Sequence, residues 1–215
     1  MKRKASRRKY TPEQLRNGIF ALNTRRFGTV AEHLIKILAN TNWGKDFSHD
    51  LYDENTNQRV EVKFSRALKA NAKTIQESNI IEEIINADDS KRMFASTEWR
   101  EHKFDCNIQQ IKKKQFDVLY YGIFFSDKVQ IFKITPDRIN EDIRYSDKQH
   151  FGNVGEGQFH LKNTTYEHHL QHFLETELTY DKVLDLLLKL QAAGKLRPTI
   201  MMLILPILPQ ETSSR

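Results

Sequence analysis

Asp50, Glu61 and Lys63 are the residues of this chain whose types and spacing could do chemistry together. Two β-compatible runs, 47–53 and 59–66, flank a cluster of Asp, Glu, Asn, Thr and Gln that reads as a turn, so the stretch is expected to form a β-hairpin. With the turn centred between Asn55 and Thr56, Asp50 lies opposite Glu61, Leu51 opposite Val60, His49 opposite Val62 and Phe47 opposite Phe64. Side chains alternate with period two, so Phe47, Leu51, Val60, Val62 and Phe64 share an apolar face while Asp50, Glu61 and Lys63 gather on the other. Adjacent carboxylates repel, and burying them is costly unless a cation neutralises them; a hard divalent ion held by carboxylate, water and substrate phosphate is the natural partner. Lys63 would then sit beside the attacking water, able to orient it and to stabilise charge building on a phosphate, so the trio suits phosphodiester hydrolysis. The plainer alternative is a solvated hairpin in which Glu61 and Lys63 are ordinary exposed charges and Asp50 belongs to the turn.

Asp50, a ten-residue gap and then Glu61-Val62-Lys63 resembles the PD-(D/E)XK nuclease superfamily, whose type II restriction endonucleases place an Asp on one strand and Glu-X-Lys on the next. His49 stands where a proline often precedes the Asp in that family. Upstream, Arg25-Arg26-Phe27-Gly28-Thr29-Val30-Ala31-Glu32 opens a helix, and many such nucleases carry a Glu on a helix before the hairpin. The resemblance spans roughly residues 25–66, a fifth of the chain. It implies a restriction-endonuclease-like α/β (α+β) core, a mixed central sheet flanked by helices, and magnesium (Mg2+) as cofactor. It further implies Asp50 and Glu61 as metal ligands, Lys63 as the water-positioning group and Glu32 as an accessory ligand. Double-stranded DNA would be the substrate, a homodimer the working form on palindromic sites, and a cognate DNA methyltransferase would share the cell.

The elements around the trio can be read in outline. Thr11-Pro12-Glu13 is a strong helix start, followed by an apolar stripe of Leu15, Ile19 and Leu22. Gly28-Thr29 is expected to start a second helix to about Asn40, with Val30, Leu34, Ile37 and Leu38 inward; Glu32 lies off that stripe and four residues before Lys36, so a surface ion pair is its bland alternative. Residues 74–87, with Ile80, Ile81, Ile84 and Ile85, predict a helix packed on the sheet, and 99–115 another short helix with Ile108 and Ile111 inward. The runs 116–125 and 129–134 are dense in β-formers and predict the central strands. Pro136 begins a short helical or turn segment, and 158–162 alternates as a strand. His168, His169 and His172 fall on a helix over 164–175 as surface histidines, and Thr179 caps a last helix with Val183, Leu184, Leu187, Leu188 and Leu190 as its apolar band. The apolar segment 200–209, broken by Pro206, reads as a packed terminal strand or interface piece.

Whole-chain properties agree with a nucleic-acid partner without requiring one. The 215 residues suit one domain, and a net charge of +6 with a pI near 9.3 favours a polyanion. Residues 1–10 form a basic arm able to lie along phosphates, 11–143 the catalytic core, and 144–215 a recognition or dimerisation part of the same domain. The lone Cys106 excludes a disulfide within the chain and points to a reducing, cytoplasmic home; no signal peptide or membrane span is evident. Arg66, Arg144, Lys148, Gln149, Asn153, Gln158 and His160 are the candidate DNA contacts, with a surface hairpin as the alternative for the last six. Three functions compete: a restriction endonuclease, a repair or junction-resolving nuclease of the same superfamily, and a non-catalytic basic DNA-binding module.

Overall fold

The computed structural model describes residues 9–44, 48–70, 73–149 and 153–203. Helix α1 (Pro12–Ala21) starts as its sequence dictates: Thr11 Oγ1 accepts from Gln14 N at 3.1 Å, and the Gln14 side chain accepts from Thr11 N at 2.9 Å. Helix α2 (Thr24–Leu38) begins before the expected Gly28, because the Asn23 side chain caps it by accepting from Arg26 N at 3.0 Å. Its buried face is Phe27, Ala31, Leu34 and Ile35; of the expected stripe Leu34 is buried, and Val30 and Leu38 pack partly buried at its margin.

Strands β1 (Asn42–Trp43), β2 (Leu51–Asp53) and β3 (Gln58–Arg66) follow. The β2–β3 hairpin has the expected register, Leu51 paired with Val60 and Asp53 with Gln58. Its turn is fixed by the Asp53 carboxylate, which accepts from Asn55 N at 2.9 Å and Thr56 Oγ1 at 2.7 Å, and by Asn57 in the left-handed conformation at φ 57°. Phe47, expected on the apolar face, lies outside the described residues.

Helix α3 (Ile80–Ile85) corrects the expectation of a long packed helix over 74–87: it has six residues, none of them buried, and Ile81, Ile84 and Ile85 are exposed. The next segment corrects another. Residues 105–111 form strand β4 (Asp105–Ile111), not a helix. Strands β5 (Val118–Phe124) and β6 (Lys128–Ile134) then make the expected hairpin, followed by a 3-10 turn at Pro136–Arg138. Strands β7 (Ser146–Gln149) and β8 (Asn153–Lys162), helix α4 (Tyr166–Phe173), strand β9 (Leu174–Thr179) and helix α5 (Tyr180–Leu203) complete the described chain. Helix α5 carries on through Ile200 to Leu203, where a strand was one expectation; residues 204–215 lie outside the described set. No helix among the described residues is long and apolar enough to cross a membrane.

The fold is mixed α/β in three layers. The middle layer is a six-stranded mixed sheet in the order β1-β2-β3-β5-β6-β9, antiparallel except for the parallel β3–β5 pair. One face carries Val60, Val62, Val118, Tyr120 and Ile131 into a core with α1, α2 and α5. The opposite face carries Leu119, Tyr121, Ile123 and Phe132 into a second core against β4, β8 and α4. Those strands belong to a separate antiparallel sheet, β4-β8-β7. Strands β5 and β6 are thus buried on both faces, which accounts for the unbroken apolar texture of their sequence. Gly122 on β5 is required by this packing, since a Cβ there would lie 2.2 Å from the Phe64 ring and 2.6 Å from the Gln130 carbonyl oxygen. The described residues from 144 onward are woven into the whole: β8 pairs with β4 and β9 with β6.

His169 departs from its expected surface place. It is fully buried, stacked on Phe159 at 5.4 Å between ring centres, with Nδ1 2.8 Å from the Tyr121 hydroxyl. Burial pushes its imidazole down to about 3, so it packs as a neutral ring.

Candidate active site

The site forms where β2 stops short. Beyond the Leu51–Val60 pair, β3 has no described strand partner on that side, and the Val62 N–H is taken instead by the Asp50 carboxylate at 2.9 Å. An edge amide thereby fixes Asp50 in place. Glu61 and Lys63 flank Val62 on β3 and turn to the face opposite the buried Val60 and Val62, as the alternation requires. Lys63 Nζ bonds the Glu61 carboxylate and lies 3.7 Å from Asp50 Oδ2. The three residues therefore converge, with side-chain exposures of 25% for Asp50, 13% for Glu61 and 23% for Lys63. At the start of β3, Arg59 pins the strand to β5 through the Asp117 carboxylate, which accepts from Arg59 N at 2.8 Å, Nε at 3.1 Å and Nη2 at 2.9 Å.

Glu32 reaches the same place from α2, close enough that Asp50 and Lys63 both act on its proton. Burial first, and Asp50 second, push its carboxyl above the usual glutamate range, against the pull of Lys63. Glu61 is likewise raised by burial, with Asp50 adding to the effect and the Lys63 ammonium opposing it. For Lys63 burial works against the charge, but Glu61, Asp50 and Glu32 outweigh it and hold the ammonium above the usual lysine value. One ammonium is thus surrounded by three carboxyl groups, two of which remain reluctant to ionise. This donor set fits a hard divalent cation, for which Asp50 and Glu61, with Glu32 behind them, are the residues to hold it.

These residues open on a polar cleft of about 270 Å³ whose other wall is the second sheet, through Gln110, Lys112 and Glu156. Lys112 Nζ pairs with Glu156 at 2.9 Å. Gln110 sits on a β-bulge in β4 with φ 60° and lines the same cleft. Gln110 is not foreseen from the sequence because 99–115 reads as a helix, nor Glu156 because the alternation that marks β8 is evident only over 158–162. A larger groove of about 440 Å³ between α1, α2 and α5 is apolar, lined by Leu15, Val30, Leu184, Leu187 and Leu188, and has no convergent charges. Glu98, Glu101 and His102 bring three ligand-type atoms within 4.8 Å of one another on the surface, but Glu98 Oε2 already accepts from Ala95 N at 2.7 Å as a turn cap.

The candidate DNA contacts separate in space. Gln158 and His160 lie on the outward face of β8, whose alternate residues Phe159 and Leu161 are buried. Lys148 is exposed on β7, and Arg144 is exposed with φ 53° ahead of it. Gln149 and Asn153 end β7 and begin β8, with side chains outside the described set. Arg66 is placed differently from the expectation of a phosphate contact. Its Nη1 donates to the carbonyls of Phe20 at 2.5 Å and Leu22 at 2.9 Å, and its guanidinium lies over the Phe27 ring at 5.0 Å, so it secures the end of α1. The basic residues 1–8 lie outside the described residues.

Comparison with known proteins finds no family model, no curated protein and no solved structure that matches the chain.

Proposed function

We propose that this chain is a magnesium-dependent endonuclease that hydrolyses phosphodiester bonds of double-stranded DNA, a type II restriction endonuclease of the PD-(D/E)XK kind. The observation that carries the reading is the meeting of Asp50, Glu61 and Lys63 from adjoining antiparallel segments at one cleft, with Glu32 behind them. An exposed structural ion pair does not need a third and a fourth charge, partly buried, at an interrupted strand edge.

When bound, magnesium supplies Lewis acidity, offsetting the carboxylates and drawing charge from the phosphate. Asp50 and Glu61 would hold it. Lys63 stays protonated at neutral pH, because three carboxylates favour its charge. It therefore acts as a donor that orients the attacking water and stabilises negative charge on the phosphate, and not as the base. In the overall step an O–P bond forms from water, which gives up one proton to solvent, the P–O bond to one sugar breaks, and the released alkoxide takes up a proton from solvent, so that one water is added across the bond. The pair Lys112–Glu156 on the facing wall presents an ammonium to the same cleft, placed to meet a strand's phosphates.

Incubating the chain with plasmid and magnesium tests this reading. Discrete fragments with common ends, absent when a chelator replaces magnesium, are expected. Structure-selective nicking of branched DNA alone would favour a repair nuclease, and binding without cutting under any divalent metal would contradict the catalytic reading.

A further inference from the structure

The cleft's second wall continues into a row of amides whose arrangement serves no core. On β4, Cys106 and Ile108 point into the core while Asn107 and Gln109 are half-buried on the other face, Asn107 with its Oδ1 buried; on β8, Phe159 and Leu161 point in while Gln158 and His160 are half-buried on the other face. Cross-strand pairing sets Gln109 against Gln158 and Asn107 against His160, so the four polar side chains form one patch. Three of them are tied together, and the fourth, His160, is tied to Asp105. Asn107 Nδ2 donates to Gln158 Oε1 at 3.1 Å and to Gln109 Oε1 at 3.4 Å, and His160 Nδ1 lies 2.6 Å from Asp105 Oδ1.

Those bonds have a direction. Because Asn107 Nδ2 donates to the amide oxygen of Gln158, the NH2 group is the end of Gln158 left to serve as a donor to a ligand. A surface side chain normally keeps its rotamer freedom; here one is fixed by neighbours, which lowers the entropy cost of using it for recognition. The patch joins the cleft directly, since Glu156, two residues before Gln158 on the same face of β8, lines the cleft beside Lys63. Same-face residues on a strand recur every ~6.6 Å, close to two base-pair steps of ~3.4 Å each. β4 and β8 are neighbouring antiparallel strands of the β4-β8-β7 sheet, and their outward side chains are presented together to the major groove of B-DNA, where each base pair shows a distinct donor and acceptor pattern.

Resting on the duplex-cleaving reading above, we infer that the Asn107–Gln109–Gln158 amide row on β4 and β8 is the base-reading surface of this protein, with Gln158 presenting a donor to an acceptor edge in the major groove of the DNA held in the cleft. The acceptor edges there are guanine O6 and N7, adenine N7 and thymine O4. Specificity accordingly sits on paired strands, and the two sheets divide the work: the central sheet cuts and the smaller one reads. Tyr145 backs the ribbon where Gly157 lets it approach, a Cβ at that position falling 2.0 Å from its hydroxyl.

The test is selection from a pool of random-sequence duplexes by the full chain, with calcium in place of magnesium to allow binding without cutting, followed by sequencing of the bound DNA. The wild-type chain is expected to enrich a defined motif. Gln158→Glu keeps the shape and the acceptor for Asn107 but turns the outward donor into an acceptor. It should change the preferred base at one position to one with a donor edge, by ~10-fold or more, over and above a weakening that its added negative charge brings to all duplexes alike. Asn107→Ala should loosen preference at that position, and melting curves of both variants matching the wild type show that the fold is kept. If Gln158→Glu is unfolded, Asn107→Ala and Gln109→Ala carry the same comparison. An unchanged motif in the folded variants overturns the assignment, and so does a wild-type chain that binds and cuts duplex while enriching no motif; either result leaves the nuclease reading intact. A wild-type chain that neither binds duplex nor cuts it with magnesium overturns both.

Discussion

At Lys63, burial and three carboxylates act in opposite directions, and the carboxylates win. Its ammonium lies between Asp50 and Glu61, where a cation shared by those two residues would also be placed. Lysine and metal therefore compete for the same negative charge. Lys63→Ala is expected to bind divalent metal at least as tightly as the wild type, measured by calorimetric titration, while cleavage falls by ~100-fold or more. Weaker metal binding in the variant would show the lysine to be part of the site's framework alone. Glu32 supplies a second prediction at this scale. Its carboxyl is raised by burial and by Asp50, so the folded chain holds that proton more tightly than the unfolded chain. The stability this gives is complete below the ordinary glutamate value and is lost as pH climbs through the raised one, so at neutral pH the ionised group is a cost. Glu32→Gln should raise Tm at neutral pH in the presence of chelator, and the two chains should melt together at about pH 4. A lower Tm for Glu32→Gln at neutral pH would contradict the crowding of charge described here.

Among the elements, β4 shows how a strand lining the cleft can hide. Cys106 and Ile108 alternate with Asn107 and Gln109 as a half-buried strand should, but the bulge at Gln110 adds a residue, and the next core side chain is Ile111. Ile108 and Ile111 then stand three apart, which is helical spacing, so the segment reads as a helix although its apolar residues are correctly picked as inward. Gln110 adopts a left-handed backbone, φ 60°, to take its place in the cleft. Gln110→Gly removes that strain, worth ~1 kcal/mol, and should hold Tm or raise it by about 2 °C, while cleavage falls ~10-fold for want of the amide. Unchanged cleavage would show the bulge to be structural only. The β2–β3 hairpin is legible because one face is apolar and its turn chemistry is local: Asp53, Thr56 and Asn57 fix the register that brings Asp50 near Glu61. Helix α3 is overestimated for the opposite reason. Ile80, Ile81, Ile84 and Ile85 have helical spacing, yet periodicity cannot say whether anything lies opposite them. Strand β9 leaves almost no trace, since its Glu175 and Glu177 are edge-strand charges, with Glu177 bound by Lys128 and Gln130.

Across the whole molecule, the three layers place the Asp50–Lys63 edge of the central sheet against the small sheet, and the cleft is the seam between them. That second sheet could not be read from sequence, because it joins β4 to β7 and β8 over a long sequence separation, and no local pattern encodes such a pairing. On the proposed reading, the net charge of +6 acts at this scale too, as sequence-independent attraction to duplex. Lys2, Arg3, Lys4, Arg7, Arg8 and Lys9 contribute to it ahead of α1. Removing residues 1–9 should flatten the dependence of duplex affinity on salt, by up to ~0.9 in logarithmic slope for each phosphate that the arm neutralises, without moving the cut position. Fluorescence anisotropy across a salt series measures it, and an unchanged slope would place the arm away from DNA.

The central claim is that Asp50 joins Glu61 and Lys63 in one metal-dependent hydrolytic site, and cleavage of supercoiled plasmid by Asp50→Asn measures it most directly. Asparagine can still accept from Val62 N, so the strand edge and Tm should be kept. With magnesium the wild type should cut and Asp50→Asn should be slower by ~1000-fold or more, with neither cutting in chelator. Wild-type cleavage in chelator, or an Asp50→Asn chain cutting at the wild-type rate, would contradict it.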